Sequence, residues 1–388
     1  MANSRIYQDI ATRTGGDIYI GVVGPVRTGK STLIKKVMDL LVLPNIENDY
    51  RREQAQDELP QSAAGRTIMT TEPKFVPNEA VEVCLKDNAR FRVRMIDCVG
   101  YLVPSALGQF EDETPRMVHT PWFEEEIPFE QAAEIGTKKV ICEHSSIGLL
   151  VTTDGSICSI PREDYIEAEE RAAFELKAIN KPVVILLNSV WPNASETEQL
   201  RCELEEKYGV PVLAVNCAEL CEEDISRMME QVLFEFPVSE ISFKIPRWMN
   251  VLAEDHWLKS ETYQLLLEMS RTIQRIGDVR NALDTLCASE HVERVYIDKM
   301  DLGCGCVSVD LVLGEPLFYQ ILSEASGFEI DGEDTLVTLI GELAEMKREY
   351  DKVAYALHEV REKGYGIAAP TTEELQLEEP EIIRQGSR

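Results

Sequence analysis

Residues Gly24 to Ser31 read G-P-V-R-T-G-K-S, a pattern whose chemistry is the holding of phosphate. Glycines at 24 and 29 let the backbone curl, so that successive N–H groups converge on an anion, and a following helix adds its positive end. Lys30 can reach the β- and γ-phosphates of a nucleoside triphosphate, and the Ser31 hydroxyl can ligate Mg²⁺. Val26, Arg27, Thr28 and Thr32 complete the lining of the loop. Such a loop works only between a strand and a helix, and its neighbours supply both. Asp17 to Val23 is a short β-branched and apolar run, read as a buried strand. After the loop, Leu33, Ile34, Val37, Leu40 and Leu41 recur at helical spacing.

A second cluster lies downstream. Phe91 to Gly100 reads F-R-V-R-M-I-D-C-V-G, a strand ending in D-x-x-G, where Asp97 can hold Mg²⁺ through water and the Gly100 amide can meet the γ-phosphate. Between the two clusters runs T-I-M-T-T-E-P-K-F-V from Thr67. An exposed threonine there can cap Mg²⁺ when the γ-phosphate is present, and Thr70 and Thr71 are equal candidates. The order of these pieces predicts an α/β fold, a P-loop NTPase of GTPase-like (TRAFAC) type rather than a kinase or a RecA-like motor.

Two departures decide the chemistry further. The guanine-reading motif N-K-x-D is expected after a later strand, here Pro182 to Leu187, and the residues present are Asn188-Ser189-Val190-Trp191. The carboxylate that would accept hydrogen bonds from guanine N1 and N2 is replaced by an indole, which has one donor and no acceptor. Without that group the basis for guanine preference is lost, and ATP is the expected nucleotide. Trp191 either stacks on a base or packs in the core. The second departure is Tyr101, which stands where small GTPases place a water-orienting glutamine, so intrinsic hydrolysis should be slow. Arg27 occupies the loop position at which cation-dependent relatives of this fold carry an asparagine that holds a monovalent ion. Its guanidinium is expected to replace that ion and stabilise charge between the β- and γ-phosphates; the competing reading is an outward-pointing arginine.

Bulk properties narrow the rest. At 388 residues with 44% hydrophobic side chains, the chain is globular and long enough for two or three domains. Its formal net charge of −30 argues against non-specific binding to nucleic acid or to an anionic lipid surface. No apolar run approaches membrane-spanning length and Met1 to Tyr7 lacks a signal-peptide core, so a cytoplasmic chain with no direct membrane span is expected. The ten cysteines form no CxxC pair and read as free thiols in a reducing compartment. No metal beyond Mg²⁺ is expected.

Taken together, these residues resemble the stage IV sporulation protein A family, the coat-morphogenesis ATPases of endospore-forming bacteria. The carrying stretches are 12–31, A-Q-D-E-L-P-Q-S-A-A-G-R-T-I-M-T-T-E-P-K-F-V-P at 55–77, D-C-V-G-Y at 97–101, 132–141, D-Y-I-E-A-E-E-R at 164–171 and G-Y-G-I-A-A-P at 364–370. The resemblance implies a protein that binds and hydrolyses ATP and polymerises with itself into a static shell. That shell would lie in the mother cell, on the surface of the outer forespore membrane, as the platform for coat assembly. It further implies Lys30 and Ser31 on phosphate and Mg²⁺, Asp97 on the metal, and Thr70 or Thr71 sensing the γ-phosphate. Relatives continue past Arg388 into a C-terminal domain associated with membrane-anchoring and coat partners.

The elements give the layout. Residues 1–238 read as the nucleotide domain, 239–370 as a smaller mixed α+β domain with long amphipathic helices, and 371–388 as a linker. The acidic stretch from Tyr101 to Ile127 reads as a lid or interface, since Trp122, Phe123 and Phe129 need burial. One long helix is expected over Asn250–Cys287. A final helix carries Leu336, Leu339, Leu343, Met346, Tyr350, Val353, Leu357 and Val360 in a heptad seam, which either pairs with the Asn250–Cys287 helix or docks a neighbouring subunit. The reading is an ATP-hydrolysing scaffold whose nucleotide state controls its assembly; the alternatives are a regulatory GTPase switch and a structural scaffold with a vestigial site.

Overall fold

The apolar run before the phosphate loop forms β1 (Asp17–Val23), whose Ile18, Ile20, Val22 and Val23 are buried. Around it the computed structural model describes residues 2–60, 73–84, 90–106, 110–111, 114–120, 125–179, 181–286, 289 and 291–368. Strands β2 (Lys74–Cys84), β3 (Arg90–Asp97), β4 (Ile147–Thr153), β5 (Val183–Asn188) and β6 (Val212–Val215) complete a six-stranded sheet in the order β6-β5-β4-β1-β3-β2. β2 runs antiparallel to β3, and every other pairing is parallel. β4 and β5 are buried at every residue, as strands covered on both faces must be.

Helices α1 (Ala2–Arg13), α2 (Lys30–Val37), α3 (Asp49–Asp57), α4 (Phe129–Lys139), α5 (Ile166–Ala178), α6 (Ser195–Tyr208) and α7 (Glu222–Phe234) surround this sheet. α1 was not legible as a helix, yet Tyr7 and Ile10 bury completely into the same core as α2 and α7. α5 is fastened to the end of β4 by a buried network. Glu169, wholly buried, receives Arg162 Nη1 at 2.6 Å, Arg162 Nη2 at 2.8 Å and the Tyr208 hydroxyl at 2.8 Å. Phe129 is buried as expected, while Trp122 and Phe123 lie outside the described residues.

Downstream, β7 (Glu240–Lys244), β8 (Val292–Asp301) and β9 (Cys306–Leu313) form a three-stranded sheet in the order β7-β9-β8. The single helix expected over Asn250–Cys287 is two helices, α8 (Trp257–Thr272) and α9 (Asp278–Leu286). The break is local chemistry: the Asp278 carboxylate accepts the amides of Gln274 at 3.1 Å and Arg275 at 2.8 Å, a side-chain cap that competes with helix continuation. The apolar periodicity survived the break because Met269, Ile273, Val279 and Leu283 enter one core. One compact unit holds the elements from α1 to α9 with most of the second sheet. A second takes in residues 290–293 and the chain from Leu313, and holds α10 (Glu315–Ser326) and α11 (Glu333–Lys363). Among the described residues, no helix is long and apolar enough to cross a membrane.

Candidate nucleotide site

The chemistry-bearing residues gather at the carboxyl ends of the parallel strands. β3 and β4 flank β1 on opposite sides, with Val22 beside Asp97 and Val23 beside Leu150. The chain order reverses beside β1, and a crevice at such a switch point is where open α/β sheets place ligands.

The loop after β1 turns sharply. Gly29 has φ 96°, and a Cβ there would collide with the Asn188 amide; Gly100 has φ 95°, and a Cβ there would collide with the Gly24 carbonyl and the Lys30 ammonium. Both positions therefore require glycine on geometry alone. Lys30 opens α2 and is buried, its Nζ donating to the Pro25 carbonyl at 2.6 Å and the Gly24 carbonyl at 3.2 Å. The lysine thus folds back over its own loop. Burial pushes its pKa down to about 8, with Asp97 pulling the other way. Thr28 is fully buried and its hydroxyl donates to the Pro25 carbonyl at 3.0 Å. Ser31 and Thr32 are half-buried in the first turn of α2.

The Ser31 hydroxyl donates to Asp97 Oδ2 at 2.6 Å, so the two residues that sequence reasoning assigned to one cation are in contact. Asp97 Oδ1 is buried and has no hydrogen-bond partner among the described residues. Burial raises the Asp97 pKa, opposed by the Ser31 hydrogen bond. A half-satisfied buried carboxylate against a serine hydroxyl is the donor set of a hard, oxygen-bound cation such as Mg²⁺, and the residues fit that ion. Thr70 and Thr71 lie outside the described residues; β2 resumes at Lys74, opposite Asp97.

Arg27 is half-buried with φ 65°, an uncommon conformation for a residue bearing a Cβ. The Val26 amide, expected to face phosphate, instead donates to the Tyr101 carbonyl at 2.8 Å, and the Tyr101 amide returns a bond to the Gly24 carbonyl at 3.2 Å. These bonds lock the phosphate loop to the D-x-x-G turn. The Tyr101 side chain is buried and its hydroxyl donates to Glu175 at 2.8 Å on α5.

Asn188 is buried at the end of β5, bridging the Thr28 carbonyl and the Cys217 amide. Ser189, where the motif would have lysine, is buried and accepts the Trp191 amide at 3.0 Å. Trp191 is 65% exposed, which removes the core-packing alternative. Sequence reasoning missed the Asn216–Ala218 turn; small and polar residues closing the next parallel strand were its signal.

A mostly parallel sheet bearing a glycine loop, a buried lysine and a strand-end carboxylate is the arrangement of a P-loop nucleotide-binding domain. The family model described as stage IV sporulation protein A, ATPase domain, matches residues 1–237, and that of the middle domain matches residues 238–388. Stage IV sporulation protein A of Bacillus anthracis is 52% identical over 383 residues, covering 99% of this chain and 78% of its own. The protein of that name from Clostridioides difficile is 50% identical over 386 residues, covering 100% and 79%, and that from Bacillus subtilis 52% identical over 383 residues, covering 99% and 78%. The chain belongs to the stage IV sporulation protein A family, and it carries that family's ATPase domain.

Proposed function

We propose that this chain binds ATP with Mg²⁺, hydrolyses it slowly, and uses its nucleotide state to control self-assembly into the basement layer of the spore coat. The observation carrying the nucleotide chemistry is the Ser31–Asp97 contact at 2.6 Å beside the buried Lys30. Ser31 and Asp97 would hold Mg²⁺, with Thr70 or Thr71 joining when the γ-phosphate is present. Bound there, Mg²⁺ would offset charge on the phosphate oxygens. Lys30 would exchange its carbonyl contacts for the β- and γ-phosphates, regaining in charge pairing what burial costs it.

The domain is proposed to be of the GTPase-like (TRAFAC) type with guanine specificity given up. An exposed Trp191 offers a face for stacking and no acceptor for guanine. Arg27, held half-buried within the loop, would stabilise charge between the β- and γ-phosphates. With Tyr101 committed to Glu175, water is positioned poorly and turnover is slow, which suits a conformational switch. The proposed partners are further copies of the chain and the coat and membrane-anchoring morphogenetic proteins. The proposed location is the mother-cell cytoplasm at the outer forespore membrane surface.

The test is phosphate release from ATP by the purified chain beside Lys30→Ala and Arg27→Ala. Turnover is expected to vanish in the first. In the second it falls or becomes potassium-dependent; an unchanged rate with no potassium effect removes Arg27 from the chemistry.

A further inference from the structure

The helix α11 runs for 31 residues from Glu333 to Lys363 and buries none of them, although it carries a sustained heptad pattern of apolar residues. Its seam is Leu336, Leu339, Leu343, Met346, Tyr350, Val353, Leu357 and Val360, alternating steps of three and four. Met346 is 61% exposed and Tyr350 58%. The helix ends cleanly at Gly364, whose φ is 84° and whose amide closes on the Val360 carbonyl at 2.9 Å. The stripe spans about 36 Å from Leu336 to Val360 at the rise of an α-helix, and none of its residues is buried.

We propose that α11 pairs with α11 of a second copy of this chain as a parallel, in-register two-stranded coiled coil. Heptad spacing keeps one seam facing a partner along the whole length, and each seam residue then fills a hole in the opposite helix. The flanking charges choose the partner and its direction. With Leu336 and Leu343 as first heptad positions, Glu342 precedes the seam and Lys347 follows it. In a parallel in-register pair, Glu342 meets Lys347 of the partner subunit, and the exchange occurs twice by symmetry. The remaining flanks pair Thr335 with Ile340, Glu349 with Ala354 and Ala356 with Arg361, none of them like-charged. An antiparallel pair of the same overlap instead sets Lys347 against Lys347 and Glu349 against Glu349. Acidic residues outnumber basic ones along α11, which argues against an anionic membrane as the occupant.

Parallel pairing brings both Gly364 ends to the same end of the pair, so the two chains leave the coil side by side. This gives the proposed self-association a surface, and rests on that reading only in treating the pair as a step of assembly. The pairing itself needs no nucleotide, and it persists in Lys30→Ala.

The experiment uses the whole chain without nucleotide. Chains carrying Val353→Cys are oxidised gently, the new linkages are identified by peptide mass, and association is followed by sedimentation. A disulfide joining position 353 of both copies is expected, and Leu343→Glu removes it while weakening association on the order of a hundredfold. Glu342→Lys or Lys347→Glu alone weakens association roughly fivefold, and the double variant recovers it. Linkage of Leu343→Cys to Val353→Cys in mixed chains overturns the parallel arrangement. A monomeric chain, or association untouched by Leu343→Glu, overturns the interface. Loss of ATP turnover in Lys30→Ala with the linkage intact separates this pairing from the nucleotide chemistry.

Discussion

Asn188 donates from Nδ2 to the Thr28 carbonyl at 2.9 Å, while its Oδ1 accepts the buried Cys217 amide at 3.0 Å. One side chain therefore ties the phosphate loop to the ends of two neighbouring strands. It remains although the lysine and aspartate that accompany it in a guanine-reading motif are absent. Asn188→Ala would strand the Cys217 amide away from water. The expected cost is about 1–3 kcal/mol of unfolding free energy, together with weaker ATP binding. Denaturant unfolding and nucleotide titration measure both, and wild-type values in each would show that the bridge carries no strain of the loop.

Trp191 is positioned by its backbone rather than by its ring. Its amide donates to Ser189 Oγ at 3.0 Å and its carbonyl accepts Thr197 Oγ1 at 3.1 Å, while the indole stays exposed. Trp191→Asp should fold normally, since little packing is lost. It should shift the ratio of GTP to ATP binding toward GTP on the order of tenfold, by supplying the missing acceptor. Competition titration of the two nucleotides decides it; an unmoved ratio would place base selection elsewhere.

Asp97 is a buried carboxylate whose pKa is raised by desolvation. A raised carboxylate favours the folded chain while protonated, and that advantage is lost as pH rises through its folded pKa. Asp97→Asn removes the buried charge. At neutral pH and without nucleotide, the variant should melt no earlier than the native chain. It should nevertheless lose the extra thermal stability that ATP confers only in the presence of Mg²⁺. Retained Mg²⁺-dependent stabilisation would take Asp97 out of the cation site.

For Lys30 the direction is opposite. Its pKa in the folded chain is about 8 against an ordinary value of 10.5. Across that window the unfolded chain keeps a proton that the folded chain has released, so the nucleotide-free fold gains stability as pH rises. Bound triphosphate restores the charge, so binding takes up a proton above pH 8. ATP affinity should fall roughly tenfold between pH 7 and pH 9. Calorimetry in buffers of different ionisation enthalpy reads the proton uptake directly. A flat affinity with no uptake would mean that Lys30 is already charged in the free chain.

The strand, loop and helix around Gly24–Ser31, and Asp97 at the end of β3, were legible because periodicity and motif agreed there. The Ser31–Asp97 contact follows from the parallel register that sets Val22 beside Asp97. Thr70 and Thr71 lie outside the described residues, so the choice between them is unchanged. The division of α8 from α9 was hidden, because apolar residues keep helical spacing when two helices share a core and only the Asp278 cap marks the break. The commitment of Tyr101 to Glu175, and of the Val26 amide to Tyr101, was equally hidden. Neither partner is near in sequence, and no periodicity reports a side chain's choice of acceptor.

The measurement that bears most directly on ATP hydrolysis at this site is phosphate release from ATP and from GTP, run in parallel on the purified chain and on Lys30→Ala. Turnover of ATP in preference to GTP, abolished by Lys30→Ala, is the predicted result. Preferred turnover of GTP would contradict the role given to the exposed Trp191, and turnover that survives Lys30→Ala would contradict the site itself.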